Sequence, residues 1–147
     1  QGQRVPVSNP GRIPLYTLRT KGVHETQADI DALAVTGKKQ AAVMVWNYHD
    51  DDVEATPATI QLEVTSIPAQ KVQVTHYRID KDNSNSYEVW KKMGSPASPT
   101  PEQYKQLEAA GGLQQLGAPQ WHAITGGRLP LSFSLPRQGV SLLRLSW

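Results

Sequence analysis

Apolar and polar residues alternate with a period of two along much of this chain, and that alternation predicts strands. It is cleanest at residues 59–64, where Ile60, Leu62 and Val64 point one way and Thr59, Gln61 and Glu63 the other. Leu129, Leu131, Phe133 and Leu135 repeat the pattern; Pro136, Arg137, Gln138 and Gly139 then form a turn, and residues 140–147 return as a closing strand. Residues 30–35 and 40–48 are apolar runs on either side of Thr36, Gly37, Lys38 and Lys39, which is a hairpin signal. The second run, AAVMVWNY, is apolar in both phases, so both faces of that strand are expected to be covered. Over residues 72–80 the phase changes. Val72 and Val74 share one face and Tyr77 and Ile79 the other, which predicts a bulge near Thr75 or His76.

Two short helices follow. Asn85 or Ser86 caps the first and Gly94 ends it, with Val89, Trp90 and Met93 as the expected buried stripe. The second starts at Thr100 as N-cap, with Pro101 at the first helical position and Gln103 completing a capping box. Tyr104 and Leu107 are expected to face inward, and Gly111 and Gly112 stop the helix. Residues 1–28 carry Pro6, Pro10 and Pro14 with little periodicity and read as an extended linker or wrapping arm. The pattern therefore predicts an arm over 1–28 and one domain over 29–147, mainly β, with a helical insert at about 85–111. Six or seven short strands separated by turns fit an immunoglobulin-like or fibronectin-like antiparallel β-sandwich.

Composition narrows the partners. A chain of 147 residues can bury a working core without metal or disulfide staples. The formal net charge is only +2 and the basic residues are scattered, so no nucleic-acid partner is expected. Cysteine is absent, which removes disulfides and thiolate metal sites and suits cytoplasm and periplasm alike. No apolar run approaches the ~20 residues that cross a bilayer, and no membrane partner is expected. The opening Gln1 and Gly2, without Met and without an apolar leader, is expected to lie inside a longer chain.

Three groups of residues invite chemistry. His49, Asp50, Asp51 and Asp52 form the densest charged run, but calcium loops space their ligands at alternate positions and turn on a glycine. A solvated strand-end turn is the expectation, with no metal. His76, Arg78 and Asp80 share the face opposite Tyr77 and Ile79. Arg78 there can grip a carboxylate in a site, or the three can be a salt-linked outer sheet face, which is the expected case. Of the four tryptophans, Trp46 sits in the doubly apolar strand and Trp90 on the helix stripe, where core or interface packing is expected. As a core residue Trp46 would cost ~3–5 kcal/mol on truncation to alanine. Trp121 and Trp147 are the candidate platforms for stacking on sugar. No nucleophile elbow and no phosphate-binding glycine loop is present.

Several uncommon strings occur in order: DALA, VWNYHDDD, THYRID, SNSYEVWKKMGSP, PTPEQYKQLEAAG and LPRQGVSLL. On these, the chain from about residue 22 to residue 147 resembles the C-terminal region of glycoside hydrolase family 39, the β-xylosidases and α-L-iduronidases, and the β-xylosidase branch more closely. It departs at Asn83, where the family pattern has a histidine before Ser84 and Asn85. The resemblance implies a retaining β-D-xylosidase parent whose (β/α)8 barrel carries two catalytic glutamates, with this chain as its sandwich. Family sandwiches also recruit a strand from before the barrel, so an exposed edge is expected where that strand is missing. A retaining pair lies ~5–5.5 Å apart. Here Glu25, Glu54, Glu63, Glu88, Glu102 and Glu108 fall in loops, first helical turns or solvated faces, and none is assigned to catalysis. No cofactor is expected. The candidate substrate or domain-interface residues are Trp46, His49, His76, Arg78, Asp80 and Trp121. The first functional expectation is a non-catalytic accessory domain that buttresses the barrel of an enzyme degrading xylan or xylo-oligosaccharides. The alternative is a carbohydrate-binding module for the same polymers.

Overall fold

The computed structural model describes residues 2–24, 27–51 and 53–147. Strands β1 (Gln3–Val5), β2 (Asp29–Gly37), β3 (Gln40–Tyr48), β5 (Lys71–Ile79) and β9 (Gly139–Ser146) run through one large antiparallel sheet in the order β1-β2-β3-β9-β5. The short strands β6 (Gln114–Gln115) and β7 (Gln120–Ala123) both pair with the far side of β5. Strands β4 (Ala58–Val64) and β8 (Leu129–Leu135) form the second sheet. Helix α1 (Leu15–Lys21) precedes β2, and α2 (Ser86–Lys92) and α3 (Pro101–Gly111) are inserted between β5 and β6. The result is the expected antiparallel β-sandwich with a two-helix insert.

The hairpin of β2 and β3 closes on Lys38 and Lys39, with Gly37 opposite Gln40 and Lys39 at φ +53°. Lys39 thus supplies the left-handed residue that lets the chain reverse. The run predicted as a closing strand, β9, lies in the middle of the large sheet, with β3 on one side and β5 on the other. Between the sheets, Val43, Val45, Leu143, Leu145, Val72 and Val74 meet Ile60, Leu129 and Leu135. Each such side chain contributes roughly 1.5–3 kcal/mol on burial. The arm before β2 is tied down by pairing of β1 with β2, by Asn9 Nδ2 donating to the Ile30 carbonyl at 2.7 Å, and by an Arg12–Asp31 ion pair at 2.6 Å. Ile13 and Val23 in the same segment are buried.

Four expectations need correction. Strand β3 is buried on one face only, through Val43, Val45 and Asn47; Met44 and Tyr48 on the other are exposed. Strand β5 contains no bulge, because its register with β9 is continuous from Gln73–Ser146 to Ile79–Val140. The irregularity lies across from it, in residues 116–119 between β6 and β7, where the Leu116 N–H reaches the His76 carbonyl at 2.7 Å. The α2 stripe of Val89, Trp90 and Met93 is half-buried, and Tyr104 on α3 is exposed. Trp147 is not a free platform, since it packs against the core cluster around Leu145. The capping signals held: Asn85 caps α2 through the N–H groups of Tyr87 and Glu88, and Thr100 and Gln103 form the full capping box of α3.

Candidate functional site

Residues directly opposite one another in antiparallel strands share a face. Leu33, Met44, Leu142 and Tyr77 therefore form one row across the outer side of the large sheet, and Trp46, Val140 and Ile79 form the next beside Asp31. These side chains point away from the small sheet. Met44 is 38 % exposed and Ile79 44 %. Trp46 stands half-buried among them, its Nε1 donating to Asp29 Oδ2 at 2.9 Å. Its ring walls a cleft of about 310 Å³ bounded also by Tyr48, Gln138 and Val140. Trp46 is thus a surface-face residue and not a core one, and Trp46→Ala is expected to cost less than the ~3–5 kcal/mol of an interior truncation. Together these side chains make a contiguous, partly open apolar surface.

At the end of β3 the acidic run is a latch and not a freely solvated turn. His49 is buried, and its Nδ1 accepts the Asp51 N–H at 3.1 Å. Asp50 accepts the Val23 N–H and, at 2.7 Å, the Tyr48 hydroxyl, with His24 Nε2 at 3.8 Å. These donors hold the Asp50 carboxyl below the usual carboxylate range, while the same carboxylate pushes the Tyr48 phenol above its ordinary value. Asp52 and Glu25 lie outside the described residues. Among the described residues no group of three or more acidic or histidine side chains is arranged to hold a metal ion.

The latch depends on Gly22, whose φ of +69° favours glycine and whose added Cβ would collide with the Asp50 carboxylate. Gly22→Ala is expected to destabilise the domain by about 1–3 kcal/mol, read as a lowered denaturation midpoint. An unchanged midpoint would mean that α1 is not held through this contact.

His76, Arg78 and Asp80 do share one face, but it is the inner one, continuing Val72 and Val74. The expected outer salt-linked face is corrected to a polar network inside the sandwich. Arg78, 4 % exposed, places Nη1 3.2 Å from Asp80 Oδ2, Nε 3.1 Å from Ser141 Oγ and Nη2 2.8 Å from the Ser134 carbonyl. His76 Nε2 lies 2.9 Å from the same Ser141 hydroxyl, and its ring meets Phe133 edge-on at 5.0 Å. Asp80 Oδ1 accepts the N–H groups of Asp82 and Asn83 and the Asn83 amide, each at 2.9 Å. Burial pushes the Asp80 carboxyl up, but these donors together with Arg78 outweigh it and hold it low.

The network also seats the insert. Ser84 Oγ donates to the Arg78 carbonyl at 2.7 Å and accepts the Gln114 N–H at 2.8 Å, and Asn85 Nδ2 donates to the Asp80 carbonyl at 3.0 Å. Both ends of the helical insert are therefore pinned to one strand end. Asn83, the departure from the family pattern, serves here as a donor to Asp80.

Burial, and secondarily Arg78, lowers His76 from 6.5 to about 4. The unfolded chain then binds the proton first. Between pH 6.5 and about 4 the unfolded state carries more protons than the folded one, so stability falls as pH drops through that window. The melting temperature is expected to decline from pH 7 to pH 4, and His76→Gln to flatten the decline. Identical pH profiles for the two proteins would place the acid sensitivity elsewhere.

The described glutamates are in ion pairs or on exposed surface, with Glu63 2.7 Å from Arg128 and Glu88 2.6 Å from Lys91. Trp90 donates from Nε1 to the Pro96 carbonyl at 3.0 Å and stacks on Tyr87. Trp121 is the most exposed tryptophan, at 59 %, and lies opposite Gln73 on the outer face. Sequence reasoning passed over Asn47 and Ser141, both buried and polar. Period-two counting places Ser141 in phase with Leu143 and Leu145, so its inward direction was available.

Solved structures of larger proteins share this sandwich. An enzyme of glycoside hydrolase family 39 from Xanthomonas axonopodis pv. citri superposes with a TM-score of 0.67 at 20 % identity, covering 78 % of this chain and 25 % of the enzyme. A monomeric β-xylosidase from Caulobacter crescentus CB15 matches with a TM-score of 0.59 at 18 % identity, over 78 % of this chain and 26 % of its own. A bacterial orthologue of human α-L-iduronidase matches at 0.65 and 17 % identity, over 81 % and 22 %. The family model of glycosyl hydrolases family 39 matches residues 19–126, and the chain belongs to that family. No curated protein matches the sequence. The chain spans about a quarter of the length of these structures.

Proposed function

We propose that this chain is the non-catalytic accessory sandwich of a longer retaining β-D-xylosidase acting on xylan fragments, and that it buttresses a (β/α)8 catalytic barrel in the same parent. The observation that carries the reading is the open apolar double row of Leu33, Met44, Leu142 and Tyr77 with Trp46, Val140 and Ile79. Such a surface is costly to leave in water and matches the interface of a domain built to be covered. A second feature agrees. Among the described residues the small sheet has two strands, and a groove of about 240 Å³ runs between the β4 edge at Thr59 and Leu62, the inner face of β2 at Ile30 and Ala32, and the arm at Val7 and Pro10. That groove suits the further strand that the parent is expected to supply from before its barrel.

The test uses Met44→Asp. In the isolated chain its exposed position makes the melting temperature insensitive to the change, within roughly 0.5 kcal/mol. In the full parent enzyme the same substitution is expected to lower the temperature of thermal inactivation. Equal inactivation temperatures for parent and variant would sink the buttress. Turnover of p-nitrophenyl β-xyloside by the isolated chain would sink the non-catalytic assignment.

A further inference from the structure

The outer face of the large sheet has two unlike halves, and only one of them is apolar. Beyond the Leu33–Met44–Leu142–Tyr77 row the register continues with a mixed row of Val35, Ala42, Arg144 and Thr75, and then with Gln40, Ser146, Gln73 and Trp121. The last row runs across β3, β9, β5 and β7, about 14 Å at the usual strand spacing. It begins on an aromatic ring and continues over two amides and a hydroxyl. Lys71, two residues from Gln73 on the same face, holds its ammonium 5.1 Å from the Trp121 ring centroid. Arg144 is exposed one row away. The turn residues Lys38 and Lys39 lie at this same end of the sheet, next to Gln40. No aspartate or glutamate falls on this half in the register. Neither Lys71 nor Arg144 has a carboxylate partner among the ion pairs of the described residues.

This half is a poor protein-docking surface and a good glycan surface. A sugar ring stacks its C–H face on an indole, and neighbouring amides and hydroxyls pair with its hydroxyls. Cations without a carboxylate partner, Lys71 over one face of the indole and Arg144 a row away, favour a ligand that carries negative charge. We propose that Trp121, Lys71, Gln73 and Arg144 form a binding subsite for a carboxylate-bearing glycan, a pyranose chain with a uronic acid unit. The ring of that glycan stacks on Trp121 and its carboxylate meets Lys71 or Arg144. This sharpens the binding-module alternative and is independent of the apolar half, which lies on other rows of the same sheet. A single domain thereby presents a docking half and a ligand half side by side.

The experiment is isothermal titration of the purified chain with a glucuronic-acid-substituted xylo-oligosaccharide, with the unsubstituted oligosaccharide and with free glucuronate as separate arms. The acidic oligosaccharide is expected to bind saturably, at least about fivefold tighter than the neutral one, with affinity falling as salt rises. Trp121→Ala is expected to weaken binding about tenfold, while Trp121→Tyr keeps most of it. Lys71→Gln and Arg144→Gln together are expected to remove the preference for the acidic ligand and leave the neutral affinity in place. Because Trp121 is exposed, melting temperatures check that each variant is folded. Ile79→Ala, on the apolar half and two rows from Arg144, should bind as the unmodified chain does, so failure of the buttress reading leaves this result untouched. No binding of the acidic oligosaccharide, equal affinity for both oligosaccharides, or an unchanged Trp121→Ala would each overturn the proposal. Binding of free glucuronate as tightly as the oligosaccharide would overturn the stacking role of Trp121.

Discussion

Arg78→Ala is expected to destabilise the sandwich by about 3–5 kcal/mol. The guanidinium is buried and joins Asp80, Ser141 and the Ser134 carbonyl across both sheets. Removing it leaves the buried Asp80 carboxylate without its cation and the Ser134 carbonyl without this donor, while the Ser141 hydroxyl keeps only His76. Asp80 keeps its donors from Asp82 and Asn83, which sets the expectation toward the lower end of the range. The same loss should loosen the helical insert, since Ser84 and Asn85 hang from the Arg78 and Asp80 carbonyls. Denaturant midpoints measure the first effect and amide hydrogen exchange in residues 86–111 the second. A paired control sharpens the reading: Arg78→Met combined with Asp80→Leu is expected to cost less than Arg78→Ala alone, because no charge is then left buried. A cost below about 1 kcal/mol for Arg78→Ala would show the network to be dispensable.

Leu145→Ala is expected to cost about 2–5 kcal/mol. Leu145 has no solvent exposure, lies on β9 between β3 and β5, and packs in the cluster with Ile67, Val72, Val74, Leu129 and Leu143. Its neighbours come from both sheets, so the void left by truncation has no mobile wall to collapse into it. Met44→Ala, on the open outer face of the same sheet, is the comparison and is expected to fall within about 0.5 kcal/mol of the unmodified chain. Similar costs for the two would contradict the assignment of inner and outer faces.

The strands and helix caps were legible because period-two alternation and capping chemistry are local. Ile60, Leu62 and Val64 face inward as the pattern says, and Thr100 with Pro101 and Gln103 starts α3 where those residues require. The polar triad on β5 was misdirected for a physical reason. Reading direction from polarity assumes that polar side chains face water, whereas His76, Arg78 and Asp80 satisfy one another inside the sandwich and simply extend the Val72–Val74 phase. No bulge was needed to explain the pattern; the inward face itself turns from apolar to polar. Trp46 was misplaced for the converse reason. An apolar outer face reads as buried, and the chain leaves it open. Helix α1 carries no local signal at its start, since Pro14 precedes it without a side-chain cap, and β6 is too short to show a period. Among the candidate residues, what sequence could not supply was the juxtaposition of Lys71 with Trp121, which depends on the pairing of β5 with β7.

The central position of β9 carries a consequence for how the domain is made. β9 follows every other strand of the sandwich in sequence, yet β3 and β5 meet only through it. During synthesis the β2–β3 hairpin can close early, and β5 with its helical insert can assemble by local contacts. These pieces stay separate, each with a raw apolar edge, until residues 139–146 emerge. The final joining step then pairs segments far apart in the chain, the type of contact that slows folding and lengthens exposure to aggregation. Truncation before Gly139 would leave the β3 and β5 halves of the large sheet unjoined.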